Sequence, residues 1–436
     1  MKSKKKGRRS KKTKTCGFDS QKNEAVLHCN IEMEVNNPSE VAFWLSKQSE
    51  NVIKSFIVSA KASTDRRNQI FTLDVLHQSL LQDNAEQHAQ AVWRCGGVEC
   101  LLHFIQNFSR DTEIQYLCIQ SLVVLVVGIN EDAVPFIIDN GGIKALVSSM
   151  SNNPNVLPIQ RGVIMLIHTM VYKYDTADSI VSESGHRCIV EALKRFPEEE
   201  YLHERAYAVF LVLLASKKKE ICDSIVQVGV IKRAIVSMSI FPTNEVIHRL
   251  GVAFLYLLTD VTSIEEKCLV AIVRNGGVLR IALALKSYDA NSTVVCFSMY
   301  LLDKLTFMDC RNSALLSKID GFEQALSQCI EKIPAGDPVS DSARLIIASM
   351  SRLIKDKTDG VKAIIPVLNS PSPMAKGSGH MWLVLIAMVD ETEYCSCDNK
   401  SKPHTIAIAR ALATLSEQYT EAVAVNGGIE LILGEM

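Results

Sequence analysis

Four times in this chain an apolar run stops at Gly-Gly and restarts at once: Cys95-Gly96-Gly97-Val98, Asn140-Gly141-Gly142-Ile143, Asn275-Gly276-Gly277-Val278 and Asn426-Gly427-Gly428-Ile429. With one glycine the same junction returns at Ser184-Gly185, Val228-Gly229-Val230, Asp320-Gly321 and Asp359-Gly360. Glycine is demanded where a helix must stop and the chain must turn through positive φ before the next helix starts. The glycines that end the turns fall at 97, 142, 185, 229, 277 and 321, separated by 45, 43, 44, 48 and 44 residues. A fixed period of this length marks a helical solenoid, in which each unit buries its apolar face only by stacking on the next.

The order inside a unit repeats as well. The turn opens an apolar helix (143–150), a polar break follows at Asn152-Asn153-Pro154-Asn155, a long helix runs over 159–171, and a short one at Ile180-Val181 leads to the next glycine. No stretch alternates with period two, so the spacing predicts an all-α chain. Three helices per unit with a turn reading Asn-Gly-Gly-Ile-x-x-Leu-Val resembles the armadillo repeat over about residues 40–436. The fold this implies is a right-handed α-solenoid of stacked three-helix repeats, roughly seven or eight units long. The two-helix HEAT repeat, which has no such turn, is the alternative. Residues 1–38 are expected to form a disordered basic tail and 39–436 the repeat domain. That domain turns irregular after about 360 and ends in an incomplete repeat opened by Gly428.

The cysteines are scattered singly inside apolar runs, as at Cys118, Cys268 and Cys296, and the basic N-terminus carries no apolar signal core. That pattern predicts buried free thiols in a reducing compartment, cytoplasmic or nuclear. The longest apolar runs, 121–129 and 206–215, fall well short of the roughly 18 residues a membrane span needs, so no transmembrane segment is expected. A net charge of −1 hides an asymmetry. Residues 1–14 hold nine Lys or Arg and no acid, leaving the remainder with 38 basic against 48 acidic side chains. Charge this dense cannot bury a core. Lys4, Lys5, Lys6, Arg8, Arg9, Lys11 and Lys12 read as a localisation signal, as a solubilising tail or, less strongly, as an RNA or anionic-membrane tether. With no aromatic among them, base stacking has no platform.

Catalytic signatures are poor. Cys395, Cys397 and His404 lack the four ligands in paired spacing that a structural zinc needs. Gly377-Ser378-Gly379 after Lys376 is not a phosphate loop, since no Gly-Lys-Ser/Thr follows. His168, His203, His248 and His380 lie 35 or more residues apart and read as core or surface residues. The expectation is a non-enzyme with no cofactor and no metal.

In armadillo proteins the long third helices line a groove for extended peptides, and nuclear-import adaptors place a Trp and an Asn four residues apart there. Aligned on their last apolar residues, the long helices here carry Gln120, Met165, Ala208, Ala253, Tyr300 and Ala348 at the Trp position. Val124, Thr169, Val212, Leu257, Lys304 and Arg352 stand at the Asn position. The ladder is absent, so import-signal binding of that kind is not expected. One turn earlier stand Tyr116, Arg161, Glu204, Arg249, Cys296 and Arg344. Residues four apart share a helix face, which predicts a partner groove over Tyr116, Gln120, Arg161, Met165, Thr169, Arg249, Tyr300, Lys304, Arg344 and Arg352. Its basic edges and apolar middle (Ala208, Val212, Ala253, Leu257) suit a protein segment carrying acidic and apolar residues. The function expected is a non-catalytic interaction scaffold or adaptor. The alternatives are a structural subunit of a large assembly such as a cilium or the cytoskeleton, and a nucleic-acid tether acting only through the basic tail.

Overall fold

In the computed structural model, residues 37–351 are described apart from 84, 128–132, 262 and 335, together with 363, 364, 366, 367 and 371. The basic tail, Arg352, the Cys395–His404 loop and the unfinished repeat at Gly428 lie outside the described residues. The chain divides into two compact units, Met1–Asn140 and Gly141–Met436. Among the described residues both are helical and no strand is present.

In the first unit the order short, middle, long runs Pro38–Leu45, Glu50–Ala62, Arg66–Ser79, then Ala85–Arg94, Gly97–Asn107, Thr112–Val127, and ends on the short helix Ala133–Asp139. The second unit opens on Gly142–Asn152 and Leu157–Lys173. Four triplets follow: Ala177–Ser182, Gly185–Arg195, Glu200–Ala215; Lys219–Gln227, Val230–Ile240, Glu245–Thr259; Glu265–Arg274, Gly277–Ser287, Thr293–Met308; Cys310–Leu316, Phe322–Lys332, Pro338–Ser351. The expected three-helix solenoid architecture is what the chain adopts.

Six of the seven described junctions from a short helix to its middle helix, all but the one from Leu45 to Glu50, turn through the same two adjacent positions. The first residue sits in the left-handed region: Gly96, Gly141, Ser184, Gly229, Gly276 and Gly321 have φ between 65° and 85°. Their intervals are 45, 43, 45, 47 and 45 residues. The ruler drawn on glycine alone drifts from this because it counts the second residue at 97, 142, 185 and 277 but the left-handed seat itself at 229 and 321. Where the second residue is glycine, as at Gly97, Gly185 and Gly277, the reason is space, while Val230 and Phe322 hold that place in two other repeats. A Cβ on Gly277 would lie 2.5 Å from Ile272 Cγ2 and 2.9 Å from its carbonyl oxygen, and one on Gly97 would lie 2.4 Å from Val92 Cγ1. Around Gly276 nothing stands within 4 Å.

Within the second unit the long helices pack side by side, Leu157–Lys173 on Glu200–Ala215, then Glu245–Thr259, Thr293–Met308 and Pro338–Ser351, and the middle helices form a second layer. Between the layers lie fully buried side chains such as Ile164, Tyr207, Phe210, Val252, Phe254 and Met299. The rings of Phe210 and Phe254 stand 5.8 Å apart. A polar clamp fixes the join of middle to long helix, nineteen residues after the left-handed seat. Gln160 Nε2 donates to the carbonyls of Met150 and Asn153 at 3.1 and 3.0 Å. His203 Nε2 lies 3.3 Å from the Phe196 carbonyl oxygen and His248 Nε2 3.1 Å from that of Met238. Gln115 repeats the arrangement in the first unit with Ile105 and Phe108. The last carbonyls of a helix have no partner within it, and these side chains supply one. His203 and His248 are therefore core residues with a structural task.

The left-handed seat and the tight second position differ in cost. Gly276→Ala is expected to destabilise by about 1–2 kcal/mol through positive φ. Gly277→Ala is expected to lose about 3 kcal/mol, because a backbone carbonyl cannot step aside. Denaturant midpoints of the two variants check this; equal losses, or the reverse order, would contradict it.

Candidate functional site

The exposed face of the long helices is the surface on which the predicted groove residues fall. Counted from the left-handed seat, Arg161, Glu204, Arg249 and Cys296 stand at twenty residues, Met165, Ala208, Ala253 and Tyr300 at twenty-four, and Thr169, Val212, Leu257 and Lys304 at twenty-eight. Ala208, Val212 and Leu257 are half-buried, Arg161 and Arg249 are exposed, and Ala253 is buried. In the first unit Tyr116 is exposed and Gln120 half-buried at the matching positions.

The same count moves one prediction. Arg344 lies twenty-three residues after Gly321, in the series of Ile119, Ile164, Tyr207, Val252 and Met299, all of them fully buried. Aligning the last long helix on Leu353 placed it three residues out of register. Arg344 is half-buried, with Nε out of solvent and without a hydrogen-bond partner. Burial lowers its pKa, against the charge of Asp341. Arg352 and the residues of the basic tail lie outside the described residues.

Several of the other residues are already engaged. Arg161 forms an ion pair with Glu199 of the next repeat. Thr169 Oγ1 donates to the Met165 carbonyl at 3.1 Å, and Tyr201 Oη donates to Met165 Sδ at 3.7 Å. Lys304 Nζ bonds the Thr259 carbonyl at 2.9 Å, pairs with Glu265 at 3.0 Å, and lies 5.6 Å from the centre of the Tyr256 ring. It braces two repeats rather than offering a charge. Exposed pairs of this kind contribute only about 0–1 kcal/mol each, so they set register more than stability.

Four residues that the spacing argument passed over complete the face. Tyr256 stacks obliquely on Phe297 and Tyr300 at 5.6 and 5.7 Å between centroids, forming a half-exposed aromatic patch. Burial raises the pKa of Tyr300, which also hydrogen-bonds Cys296. Arg205 lays its guanidinium 5.3 Å from the centre of the Tyr201 ring. Phe297 and Tyr300, three residues apart on one helix, were legible as a pair; their meeting with Tyr256 was not, since it depends on which repeats adjoin.

Asp303 is the most perturbed acid of this layer. Ser342 Oγ donates to its Oδ2 at 3.2 Å from the neighbouring long helix. Burial pushes its carboxyl up to about 7, and the Ser342 bond and the Lys304 charge act in the opposite direction. Among the described residues no group of three or more His, Cys, Asp or Glu is placed to hold a metal. No single described helix is long and apolar enough to cross a membrane; one bent pair, Glu265–Arg274 with Gly277–Ser287, is so by length and composition only. The nine described cysteines are free thiols. Burial raises the pKa of Cys100 and of Cys268 to about 12, which leaves both as neutral core groups.

Three helices per repeat, a left-handed turn after the first, and a row of long third helices decide the fold. It is armadillo-like. No family profile and no curated protein matches the chain. Among solved structures, an engineered protein superposes with a TM-score of 0.53 at 17% identity, over 95% of this chain and 99% of that one. A chain from a study of the phosphorylation switch controlling the interaction between cadherin and beta-catenin superposes at 0.53 with 12% identity, over 94% of each. A designed armadillo repeat protein reaches 0.44 at 12% identity, over 58% of this chain and 99% of that one. At these identities the likeness is one of armadillo-like fold alone.

The Asp303 environment carries a pH test. A carboxyl that holds its proton more tightly folded than unfolded costs stability as pH rises from the ordinary carboxylate range to about 7, and costs no more above it. Asp303→Asn removes that titration. Its stability advantage over wild type is expected to widen by roughly 2–3 kcal/mol between pH 5 and pH 8. Denaturant unfolding at the two pH values measures the gap, and a gap that stays constant would contradict the assignment.

Proposed function

We propose that this protein is a non-catalytic interaction scaffold that holds segments of partner proteins along its long-helix face. The observation that carries the reading is the continuous packing of long helices in the second unit. It leaves a stripe of half-exposed apolar and aromatic side chains (Val212, Tyr256, Leu257, Phe297 and Tyr300) edged by charge. Small and aromatic side chains on a rigid layer suit an extended segment, because the protein has little conformational freedom left to lose on binding. The likeness of fold to a chain from a study of the interaction between cadherin and beta-catenin is in keeping with the same class, a protein-binding surface. The partner chemistry proposed is acidic with interspersed apolar residues, and the basic tail is proposed to act in localisation, in the cytoplasm or nucleus, or as a nucleic-acid tether.

A second reading, a structural subunit of a large assembly such as a cilium or the cytoskeleton, is favoured by the first described helix. Pro38–Leu45 lies against Arg66–Ser79, and Phe43 and Trp44 on it are 52% and 41% exposed. An apolar edge of this kind is where one solenoid would meet another.

Panning random linear peptides displayed on phage against the full-length protein tests the first reading. Selected peptides are expected to lose at least about tenfold in affinity to Val212→Arg or Leu257→Arg, with helical circular dichroism unchanged. Failure to enrich any peptide, or peptides indifferent to both variants, would contradict it. Concentration-dependent self-association in sedimentation velocity that Trp44→Ser abolishes would favour the second.

A further inference from the structure

On the long-helix face of the second unit two arginines, Arg205 and Arg249, differ from the braced cations Arg161 and Lys304. Arg161 is paired with Glu199, and Lys304 with Glu265 and the Thr259 carbonyl. Arg205 and Arg249 form no ion pair among the described residues. The acids nearest to them in the chain are otherwise engaged. Glu200 and Glu204 both accept from Asn244 Nδ2, and Glu245 accepts from Ser292 Oγ at 3.3 Å. Arg205 is held in place rather than free to swing. Its guanidinium lies over the Tyr201 ring, and its Nε is out of solvent with no acceptor. A buried donor left unmade costs roughly 1–3 kcal/mol, and a guanidinium fixed in that state is preset for a carboxylate, which it meets with two parallel hydrogen bonds.

The two arginines sit on adjoining long helices, Glu200–Ala215 and Glu245–Thr259, near corresponding positions of their repeats. Packed helix axes lie about 8–10 Å apart, and an extended polyproline II segment advances about 3.1 Å per residue and brings every third side chain back to the same face. A segment crossing the two helices therefore passes from one arginine to the other in about three residues. Val212 and Leu257 provide apolar footing further along the same helices, and the Tyr256 ring adds a broad surface. Resting on the reading that this face binds protein segments, we propose that Arg205 and Arg249 are its anchors. Each pairs with a carboxylate of an extended acidic segment, the two carboxylates about three residues apart and followed by an apolar side chain.

The test uses the same displayed library of random peptides on the full-length protein. Selected sequences are expected to share two acidic residues at that spacing. Their affinity is expected to fall at least about tenfold with Arg205→Glu and with Arg249→Glu. Arg205→Lys, which keeps the charge on a similar stem, is expected to retain part of the binding and shows that the site still folds. Exchanging the matching peptide acid for lysine is expected to restore affinity to Arg205→Glu. Peptides without acids, or acidic peptides indifferent to both reversals, would overturn the anchors. If such peptides still lose affinity to Val212→Arg, the groove stands and only the anchors fall. If no peptide is enriched at all, both fall.

Discussion

Everything in this chain depends on a turn that only one backbone conformation can make. Seven times among the described residues a short helix hands over to a middle helix, and in the six handovers after the first the linking residue takes positive φ, between 65° and 85°. For an L side chain that conformation costs about 1–2 kcal/mol, which is why glycine holds five of the six seats and a small serine the other. Where the residue after it is glycine, as at Gly97, Gly185 and Gly277, it faces a different limit, the carbonyl and side chain of the short helix directly beneath. Together the two positions fix where each middle helix starts, and a fixed loop length then fixes where each long helix starts.

That register has consequences for the surface. In four repeats a clamp residue nineteen positions on, Gln115, Gln160, His203 or His248, locks the long helix rotationally against the middle layer; Val295 and Ser340 hold that place in the other two. The positions one residue, five and nine residues later must then face outward. A face that recurs identically in each repeat can be varied residue by residue without disturbing the core. In the second unit that variation produces an apolar and aromatic stripe, two braced cations and two unpaired arginines. Stability comes from the layer beneath, where Phe210 and Phe254 pack between repeats; the outer face contributes little and is free to serve binding.

The sequence made the period, the helix triplets and the all-α class legible because they rest on local rules: where a helix must stop, and which positions recur on one face. The predicted groove residues through Lys304 recur at matching distances from each turn, since the interval between turns and long helices is nearly constant. The sequence alignment went astray at Arg344, where the anchor chosen was the far end of the helix instead of the turn. It passed over Arg205 and Tyr256 because their significance is not local. Arg205 stands out only when Glu200 and Glu204 are seen to be taken by Asn244, forty or more residues away. Tyr256 becomes a patch only when the next repeat brings Phe297 and Tyr300 alongside. Spacing within a repeat was readable; the pairing of charges between repeats was not.

The central claim is that the outer face of the long helices, and no other surface, receives the partner. Photo-crosslinking measures this directly. A peptide selected on the full-length protein would carry a benzophenone in place of its apolar residue, and the crosslinked protein would be mapped by mass spectrometry. The account predicts adducts within Glu200–Ala215 and Glu245–Thr259, at or beside Val212 and Leu257. Adducts confined to the middle-helix layer, or to the Phe43 and Trp44 edge, would contradict it.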